Sequence, residues 1–277
     1  MEIPPFVRQI IRLALEEDIG TGDVTSNLLI PEEKISRAEI IAKEDIVLAG
    51  MPFAREVFRQ IDETVQFKPL LKEGGKIKKG RRAAHLKGRA RSLLAGERTA
   101  LNILQHLSGI ATLTGKFVSE IKGTRAKVVD TRKTKPCLRY MEKYAVRMGG
   151  GNNHRFALYD GILIKDNHIE AVGSVKKALE LAGAGMHLMK IEIEVKSIKE
   201  LNTALESGAD VIMLDNMGLS EIREAVKLNK KKAVLEVSGG VSLENVRKIA
   251  ETGVDLISIG AITHSAPAVD LSMEIIE

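Results

Sequence analysis

The chain has 277 residues, of which 44% are hydrophobic and 29% are charged, and its formal net charge is +5. This composition is typical of a globular protein with one large domain or two modest ones, and it excludes collagen-like, low-complexity and disordered chains. The single cysteine, Cys137, excludes an internal disulfide and any zinc or iron–sulfur site that needs several cysteines of one chain.

The first element is predicted to be a helix. The pair Pro4-Pro5 suits its first turn, an apolar face recurs at helical spacing over residues 6–15, and Gly20 ends it. Charges run throughout this segment, so it is unlike a signal peptide. The longest uncharged stretch, residues 99–115, is too short and too polar to span a bilayer. We therefore expect a cytoplasmic protein with no membrane partner.

Residues 36–90 are predicted to form short strands separated by Gly and Pro, with a hairpin near Glu73-Gly74-Gly75. Residues 68–91 are rich in Lys and Arg, and Glu73 is their one acid. Such a stretch fits nucleic-acid binding, a solvated strand face or a rim that attracts small anions. Because Trp is absent and Tyr and Phe are few, the chain has few aromatic side chains that could stack on nucleic-acid bases. Nucleic acid is therefore not the expected partner.

A helix is expected next, over residues 91–122, with interruptions at Gly109 and Gly115. We place the domain boundary there. This divides the chain into a first domain, residues 1–112, and a second domain, residues 113–265. The C-terminal tail, residues 266–277, is expected to pack back on the first domain.

The second half of the chain alternates between short apolar runs and amphipathic helical patterns. The strand candidates are KVVD (127–130), GILIKD (161–166), IEIEV (191–195), VIMLDN (211–216), AVLEVSGG (233–240) and LISIGA (256–261). Regular strand–helix units of this length predict a (β/α) barrel, and a doubly wound sheet is the alternative with the same local pattern.

Polar residues follow all of these strand candidates, at the ends where barrels carry their active sites. Ser238-Gly239-Gly240 and Gly260-Ala261 close the last two, and small residues there leave backbone N–H groups free to hold a phosphate beside a helix N-terminus. The plainer interpretation is a pair of tight turns. For any single strand, the polar residue could equally be a helix cap, so the argument depends on the whole set.

Basic residues are dense between Arg132 and Lys165, and the acids Glu194 and Asp215 end two of the later strands. Guanidinium groups match carboxylates and phosphates, and Lys165, inside an apolar run, would need an anionic partner. Carboxylate oxygens suit Mg²⁺, which proteins often hold largely through phosphates and water. The sequence therefore predicts a site for anionic substrates together with a divalent cation.

Several long segments resemble the nicotinate-nucleotide pyrophosphorylase family, that is, quinolinate phosphoribosyltransferase. They are GDVTS (22–26), ERTALNILQHLSGIAT (97–112), DTRKTKPCLR (130–139), KYAVRMGGGNNHR (143–155), LYDGILIKDNH (158–168), IEIEV, IMLDN, LEVSGGV and GVDLISIGAITHS (253–265). The resemblance implies a type II phosphoribosyltransferase that converts quinolinate and phosphoribosyl pyrophosphate to nicotinate mononucleotide, pyrophosphate and CO2 in NAD biosynthesis. It also implies that residues 1–112 form an N-terminal α/β sandwich domain and that residues 113–265 form an incomplete (β/α) barrel, the catalytic domain. A requirement for Mg²⁺ is implied as well, and so is a homodimer, with higher assembly open, whose sites are each completed by the partner.

The resemblance assigns roles to matching positions. Quinolinate would be held by Thr131, Arg132, Lys133, His154, Arg155 and Lys165, with Arg98 donated across the dimer interface. Glu194 and Asp215 would face the ribose hydroxyls and would be further ligands of a Mg²⁺ held through the substrate phosphates. Ser238, Gly239, Gly240, Gly260 and Ala261 would hold a phosphate. Lys133, Lys165, Glu194 and Asp215 are the expected catalytic residues.

The sequence departs from the family pattern at one loop. After DTRKT the family continues Thr-Pro-Gly, whereas this chain has Lys135-Pro136-Cys137, which predicts an altered loop conformation. Cys137 is not expected to be a nucleophile, because this chemistry needs none. His168 is expected to orient a neighbour or to cap a strand end rather than to transfer a proton.

Three functions compete, the first of them implied by the resemblance. The first is the phosphoribosyltransferase, with a nicotinate-specific enzyme as a narrower variant. The second is a barrel lyase or aldolase that uses Lys165 as a Schiff base. The third is a nucleic-acid-binding protein that uses residues 68–91.

Overall fold

The computed structural model describes residues 2–185 and 188–276, which form two compact units. The first unit comprises Met1–Gly115, Lys135–Gly150 and Ser265–Glu277, and the second comprises Lys116–Thr134 and Gly151–His264. The segment Lys135–Gly150, which the predicted division gave to the barrel, is thus counted with the first unit. Among the described residues, no helix is long and apolar enough to cross a membrane.

The first unit is built on an antiparallel sheet of four strands in the order β12-β1-β5-β3, beside a separate pair, β2-β4. In chain order its elements are α1 (Pro5–Ile19), α2 (Val24–Leu29), β1 (Ile35–Ala42), β2 (Ile46–Val47), α3 (Met51–Ile61), β3 (Gln66–Pro69), β4 (Lys76–Ile77), β5 (Arg82–Arg89), α4 (Ala90–Glu120), α5 (Arg139–Met148) and β12 (Leu271–Ile275). The end of α4 reaches into the second unit.

The predicted N-terminal helix is confirmed, since α1 starts at Pro5 and Gly20 follows its last residue with a positive φ. The prediction of a hairpin at Glu73-Gly74-Gly75 is wrong. β3 pairs with β5 and β4 pairs with β2, so the chain between β3 and β4 links two different sheets. The sequence analysis also missed α3, because its apolar residues Phe53, Val57 and Phe58 lie among strand-like runs.

Helix α4 runs without a break over 31 residues, so the predicted interruptions at Gly109 and Gly115 are wrong. Gly109 serves a different purpose. A Cβ built on it would lie 2.1 Å from the carbonyl oxygen of Pro267, so only glycine allows the C-terminal segment to cross the helix here. Gly115 has ordinary space around it, with the nearest side-chain atom 3.5 Å away.

The basic stretch 68–91 belongs to the strands of the first unit and exposes most of its cations. Lys78 pairs with Asp45 and Arg82 pairs with Glu39 across the sheet. Arg91 donates hydrogen bonds to the carbonyl oxygens of Ile30 and Asn27. These contacts favour the interpretation of a solvated face, in which some of the basic side chains form ion pairs or hydrogen bonds with other residues of the unit.

The second unit contains six parallel strands in the order β6-β11-β10-β9-β8-β7. Its elements in chain order are β6 (Lys127–Val129), β7 (Ile162–Ile164), α6 (Asp166–Val172), α7 (Val175–Gly185), β8 (Ile191–Val195), α8 (Ile198–Glu206), β9 (Val211–Asp215), α9 (Leu219–Asn229), β10 (Val234–Ser238), α10 (Val246–Ala250), β11 (Leu256–Ser258) and α11 (Ala261–His264). The strands β6 and β7, consecutive in the chain, lie at the two edges.

This order confirms the incomplete barrel and excludes the doubly wound alternative. From β7 to β11 each strand pairs with the next in the chain, and β6 pairs with β11, so the sheet would close into a barrel if β6 met β7. A doubly wound sheet would instead reverse its strand order in the middle. Parallel strands place all their C-terminal ends at one edge, which is where the site lies.

Candidate active site

A cavity of about 350 Å³ opens at the C-terminal ends of the parallel strands. All six strands or the loops after them contribute to its wall. The lining residues are Thr131, Arg132, Lys133, His154, Arg155, Leu163, Lys165, Glu194, Met213, Asp215, Glu236, Ser238, Gly239, Gly240, Val241, Ser258, Ile259, Gly260, Ala261 and His264. The cavity therefore brings together every site residue expected from the sequence except Arg98, which belongs to the first unit and is exposed on α4.

The segment after β6 supplies one cationic wall. The hydroxyl of Thr131 accepts the backbone N–H of Lys133, and the carbonyl oxygen of Lys133 accepts a hydrogen bond from the hydroxyl of Thr263 at 2.6 Å. These bonds shape the turn in the DTRK segment and anchor it to α11. Lys133 is exposed and Arg132 is half-buried, so both present charge to the cavity.

The loop before β7 supplies a second cation and is fixed by the buried carboxylate of Asp130. Oδ1 of Asp130 accepts the backbone N–H of His154 at 2.9 Å, and Oδ2 accepts the amide of Asn153. Arg155 donates from Nη1 to the carbonyl oxygen of Gly161. Burial and then the charge of Arg132 lower the pKa of Arg155, although Glu192 opposes them. Two guanidinium groups held this close favour an anion between them.

The prediction that Lys165 lies within an apolar strand is wrong. Strand β7 ends at Ile164, and Lys165 is the exposed residue that precedes α6. Its backbone N–H donates to Nδ1 of His168 at 2.9 Å, which matches the expectation that His168 caps a strand end or orients a neighbour. Lys165 therefore reaches the cavity from the rim, and no burial penalty forces it to find a partner.

Glu194 and Asp215 form the acidic wall. They lie near the ends of the neighbouring strands β8 and β9, and both are half-buried. Burial and then the charge of Asp215 raise the pKa of Glu194, while Lys165 opposes them. Just outside, Lys196 forms an ion pair of 2.8 Å with Asp166. Two carboxylates this close attract a cation or share a proton.

The last two strands end in small residues, as expected. Gly239 and Gly240 have φ of +90° and +60°, which favour glycine and turn their backbone beside the cavity. The expected helix N-terminus is present only after β11, where Gly260 directly precedes α11. After β10 the prediction of an adjacent helix N-terminus is wrong, because α10 begins only at Val246.

Beneath the cations lies a buried pair of acids that the sequence analysis did not select. Nε2 of His154 is 2.9 Å from Oε2 of Glu192 and 3.8 Å from Oε2 of Glu236. Nδ1 of the same ring accepts the backbone N–H of Arg155 at 2.7 Å. The ring proton is therefore on Nε2 and is donated to Glu192. This places His154 as a support beneath the cationic wall, with both ring nitrogens engaged inside the unit.

Glu236 has no exposed surface, and neither of its carboxylate oxygens has a hydrogen-bond partner among the described residues. Burial and then the charge of Glu192 raise the pKa of Glu236 to about 7, against the effect of His154. A signal for both acids exists in the sequence. Each lies two residues before a selected residue, Glu194 or Ser238, and alternate residues of a strand face the same side.

The cysteine loop belongs to the first unit. Cys137 is exposed and has φ of +63°, so it takes the left-handed conformation that the family's glycine would adopt without strain. Beside it, the backbone N–H of Lys135 donates to Oε2 of Glu142, whose Oε1 lies 2.7 Å from Nε2 of His106. The substitution has thus kept a glycine-like backbone at Cys137.

Comparison with known proteins finds two family models that together match most of the chain. One is described as the N-terminal domain of quinolinate phosphoribosyl transferase and matches residues 23–108. The other is described as the C-terminal domain of quinolinate phosphoribosyl transferase and matches residues 110–274.

Curated relatives and solved structures agree with these models. A probable nicotinate-nucleotide pyrophosphorylase [carboxylating] of Bacillus subtilis is 47% identical over 94% of this chain and 90% of its own length. A relative of the same name from Methanocaldococcus jannaschii is 42% identical over 98% of both chains. The structure of the nicotinate-nucleotide pyrophosphorylase from Francisella tularensis superposes with a TM-score of 0.94 at 42% identity, covering 99% of this chain and 98% of that one.

Proposed function

The chain belongs to the quinolinate phosphoribosyltransferase family, and from its pocket we propose that it joins quinolinate to phosphoribosyl pyrophosphate with loss of CO2. The products are nicotinate mononucleotide and pyrophosphate, in NAD biosynthesis. One observation carries the proposal. A single cavity has a cationic wall, an acidic wall and a glycine-rich wall, which suit a dicarboxylate, a ribose and a phosphate.

The cationic wall takes quinolinate. The charge of Arg132, after the larger effect of burial, lowers the pKa of Arg155, so the two groups are close together, and Lys133 and Lys165 reach the same cavity. Two adjacent carboxylates on a pyridine ring match this set, because forked guanidinium groups bind carboxylates in a fixed plane. With both carboxylates neutralised, the ring nitrogen is held ready to attack C1 of the ribose.

The acidic wall takes the ribose. As pyrophosphate departs, C1 gains positive charge, and the carboxylates of Glu194 and Asp215 stabilise it from fixed positions. The glycine-rich wall, Ser238 to Gly240 with Gly260 and Ala261, holds the phosphate of the same substrate through backbone N–H groups. The bond from the ring nitrogen to C1 forms as the bond from C1 to pyrophosphate breaks.

A Mg²⁺ ion fits this arrangement. Glu194 and Asp215 are carboxylates, which Mg²⁺ prefers. Burial and then the charge of Asp215 raise the pKa of Glu194, an effect that a bound cation would oppose. These two residues would hold it together with the substrate phosphates. When bound, Mg²⁺ supplies charge neutralisation of the leaving pyrophosphate.

The decarboxylation step needs little from the protein. Once the ring nitrogen is ribosylated it is cationic, so it stabilises the electron pair left on the adjacent carbon when CO2 leaves. That carbon then takes a proton from water or from Lys165, which lies at the rim of the cavity. Exposure of Lys165 does not favour a Schiff-base role, which needs a desolvated amine.

The assembly is proposed to be a cytoplasmic homodimer in which Arg98 completes the partner's quinolinate pocket. Support comes from the resemblance and from the exposure of Arg98 on α4. Mixing two inactive variants tests this. A heterodimer of Arg98→Ala and Lys165→Ala should regain activity, because one of its sites keeps its own Lys165 and receives an intact Arg98. Absence of complementation, with heterodimers present, would contradict the shared site.

The activity itself is tested with purified protein, quinolinate, phosphoribosyl pyrophosphate and Mg²⁺, with nicotinate as the parallel substrate. We expect nicotinate mononucleotide and CO2 in equal amounts from quinolinate and no product from nicotinate. Product from nicotinate alone would overturn the base specificity, and product from neither would overturn the proposed function.

A further inference from the structure

We propose that Asn216 is a positioning residue that joins the ribose side of the site to the phosphate side. This inference deepens the proposed function and rests on it, since it assumes that Asp215 faces the ribose and that the Ser238–Gly240 turn holds a phosphate. Asn216 does not line the cavity and was not selected from the sequence.

The first observation is a hydrogen bond to the acidic wall. Nδ2 of Asn216 donates to Oδ2 of Asp215 at 2.9 Å. The amide thus occupies one carboxylate oxygen and fixes the rotation of the group. Asp215 keeps its other oxygen for a ribose hydroxyl or a cation, in a set orientation. Without the amide, the carboxylate would be free to turn about its last bond.

The second observation links Asn216 to the phosphate turn. Its backbone N–H donates to the carbonyl oxygen of Ser238 at 3.0 Å, which extends the pairing of β9 and β10 by one bond past the partners Asp215 and Ser238. One residue further on, a Cβ built on Gly239 would lie 2.1 Å from Oδ1 of Asn216. The side chain of Asn216 therefore packs directly against the backbone that forms the phosphate turn.

The third observation is the conformation of Asn216, which has φ of +54°. Residues other than glycine seldom adopt this left-handed region, and Asn tolerates it better than most. The conformation turns the chain sharply at the end of β9 and directs the amide back toward Asp215. Strain held at the edge of a site is a sign that the surrounding structure needs that particular geometry.

These contacts predict a selective defect. Loss of the amide should disturb both the orientation of Asp215 and the packing of the phosphate turn, which serve the same substrate. The residues of the cationic wall lie after β6 and on either side of β7, and hydrogen bonds within those segments shape their turns. Binding and use of phosphoribosyl pyrophosphate should therefore suffer, whereas quinolinate binding should not.

The test uses two variants and a matched control. Asn216→Gly keeps the left-handed backbone and removes the amide, and Asn216→Asp keeps the shape and removes the donor. Lys230→Gly is the control, because Lys230 is also a non-glycine residue with positive φ (44°), exposed at the end of α9 and outside the cavity lining. It reports the effect of relieving backbone strain alone.

We expect both Asn216 variants to lower kcat/KM for phosphoribosyl pyrophosphate by about tenfold or more, with the Kd of quinolinate within about twofold of wild type. Lys230→Gly should change neither. Unchanged kcat/KM in Asn216→Gly, or an equal loss for both substrates, would overturn the positioning role. Should one variant fail to fold, as judged by thermal unfolding, the other still decides. A wild-type protein without activity would overturn the proposed function instead, so the two failures are distinguishable.

Discussion

His154 donates the proton of its Nε2 to Oε2 of Glu192 over 2.9 Å, directly beneath the cationic wall of the pocket. Nδ1 of the same ring accepts the backbone N–H of Arg155. Glu192 therefore fixes the orientation of the ring, and the ring fixes the position of the Arg155 backbone. In the proposed site, Arg155 contacts quinolinate and His154 supports it. A direct role for His154 in binding quinolinate through Nε2 would require it to break its hydrogen bond to Glu192.

This relationship predicts different effects for two substitutions of Glu192. Glu192→Ala removes the acceptor and should weaken quinolinate binding about tenfold, since a lost buried hydrogen bond costs about 1–3 kcal/mol. Glu192→Gln keeps an oxygen that can accept from Nε2 and should stay within about threefold of wild type. Titration calorimetry with quinolinate measures both. Equal affinities in the two variants would refute the support role.

Glu236 predicts a dependence of stability on pH. Its pKa is raised to about 7 in the folded chain, whereas an exposed glutamate titrates near pH ~4.3. Below that pH range the Glu236 carboxyl is protonated in both the folded and the unfolded chain, so it does not change the free energy of unfolding. As the pH rises toward 7, the unfolded chain loses the proton while the folded chain keeps it, so the free energy of unfolding falls, and above 7 the loss remains.

Glu236→Gln removes this ionisation. Relative to wild type, the variant should gain roughly 1–3 kcal/mol between pH ~5 and pH ~8, because one pKa unit corresponds to about 1.4 kcal/mol. Denaturant unfolding at the two pH values gives the difference directly. An offset between the two proteins that stays constant with pH would show that Glu236 does not hold its proton in the folded chain.

Cys137 predicts a stabilising substitution. Its left-handed backbone strains a residue with a Cβ, so Cys137→Gly should raise the free energy of unfolding by about 0.5–1 kcal/mol, after the entropy cost of glycine. Cys137→Ala is the matched control, because it removes the thiol and keeps the strain. Both variants should keep full activity. A large loss of activity in Cys137→Ala would show that the thiol takes part in catalysis.

The two glycines of α4 predict opposite results for the same substitution. Gly109→Ala would place a Cβ 2.1 Å from the carbonyl oxygen of Pro267, a backbone atom that cannot turn away. We expect a loss of about 1–3 kcal/mol. Gly115→Ala meets its nearest atom at 3.5 Å and gains helix propensity, so it should be neutral or stabilising by up to ~1 kcal/mol. Thermal unfolding distinguishes them, and equal behaviour would contradict the packing argument.

The barrel could be predicted because its strands are apolar runs with a regular repeat and polar ends. The cavity confirms that polar residues after all six strands converge, although no one of them was decisive alone. Lys165 shows the weak point of such reasoning. The predicted strand ran to Asp166, whereas β7 ends at Ile164, so a lysine expected within an apolar strand is exposed. Strand ends depend on hydrogen bonds that the sequence does not display.

Other features depended on contacts between distant parts of the chain. Gly109 suggests an interruption of the helix, and only the crossing of Pro267 explains it. The complete burial of Glu236 likewise depends on residues of other segments. Asn216 is missed for the same reason, since its role lies in what it does to Asp215 and Gly239. Local patterns identify elements and candidate groups, whereas the supports of a site are tertiary.

The central claim is that one cavity has separate walls for its two substrates, and the most direct test measures each affinity in two variants. Arg132→Ala should weaken quinolinate binding by about tenfold or more and leave that of phosphoribosyl pyrophosphate within about threefold, as expected for a lost guanidinium–carboxylate pair. Glu194→Gln should lower turnover and phosphoribosyl pyrophosphate binding while the Kd of quinolinate stays near wild type. If both variants weaken both ligands equally, or if the effects are exchanged, the division of the pocket into these walls is wrong.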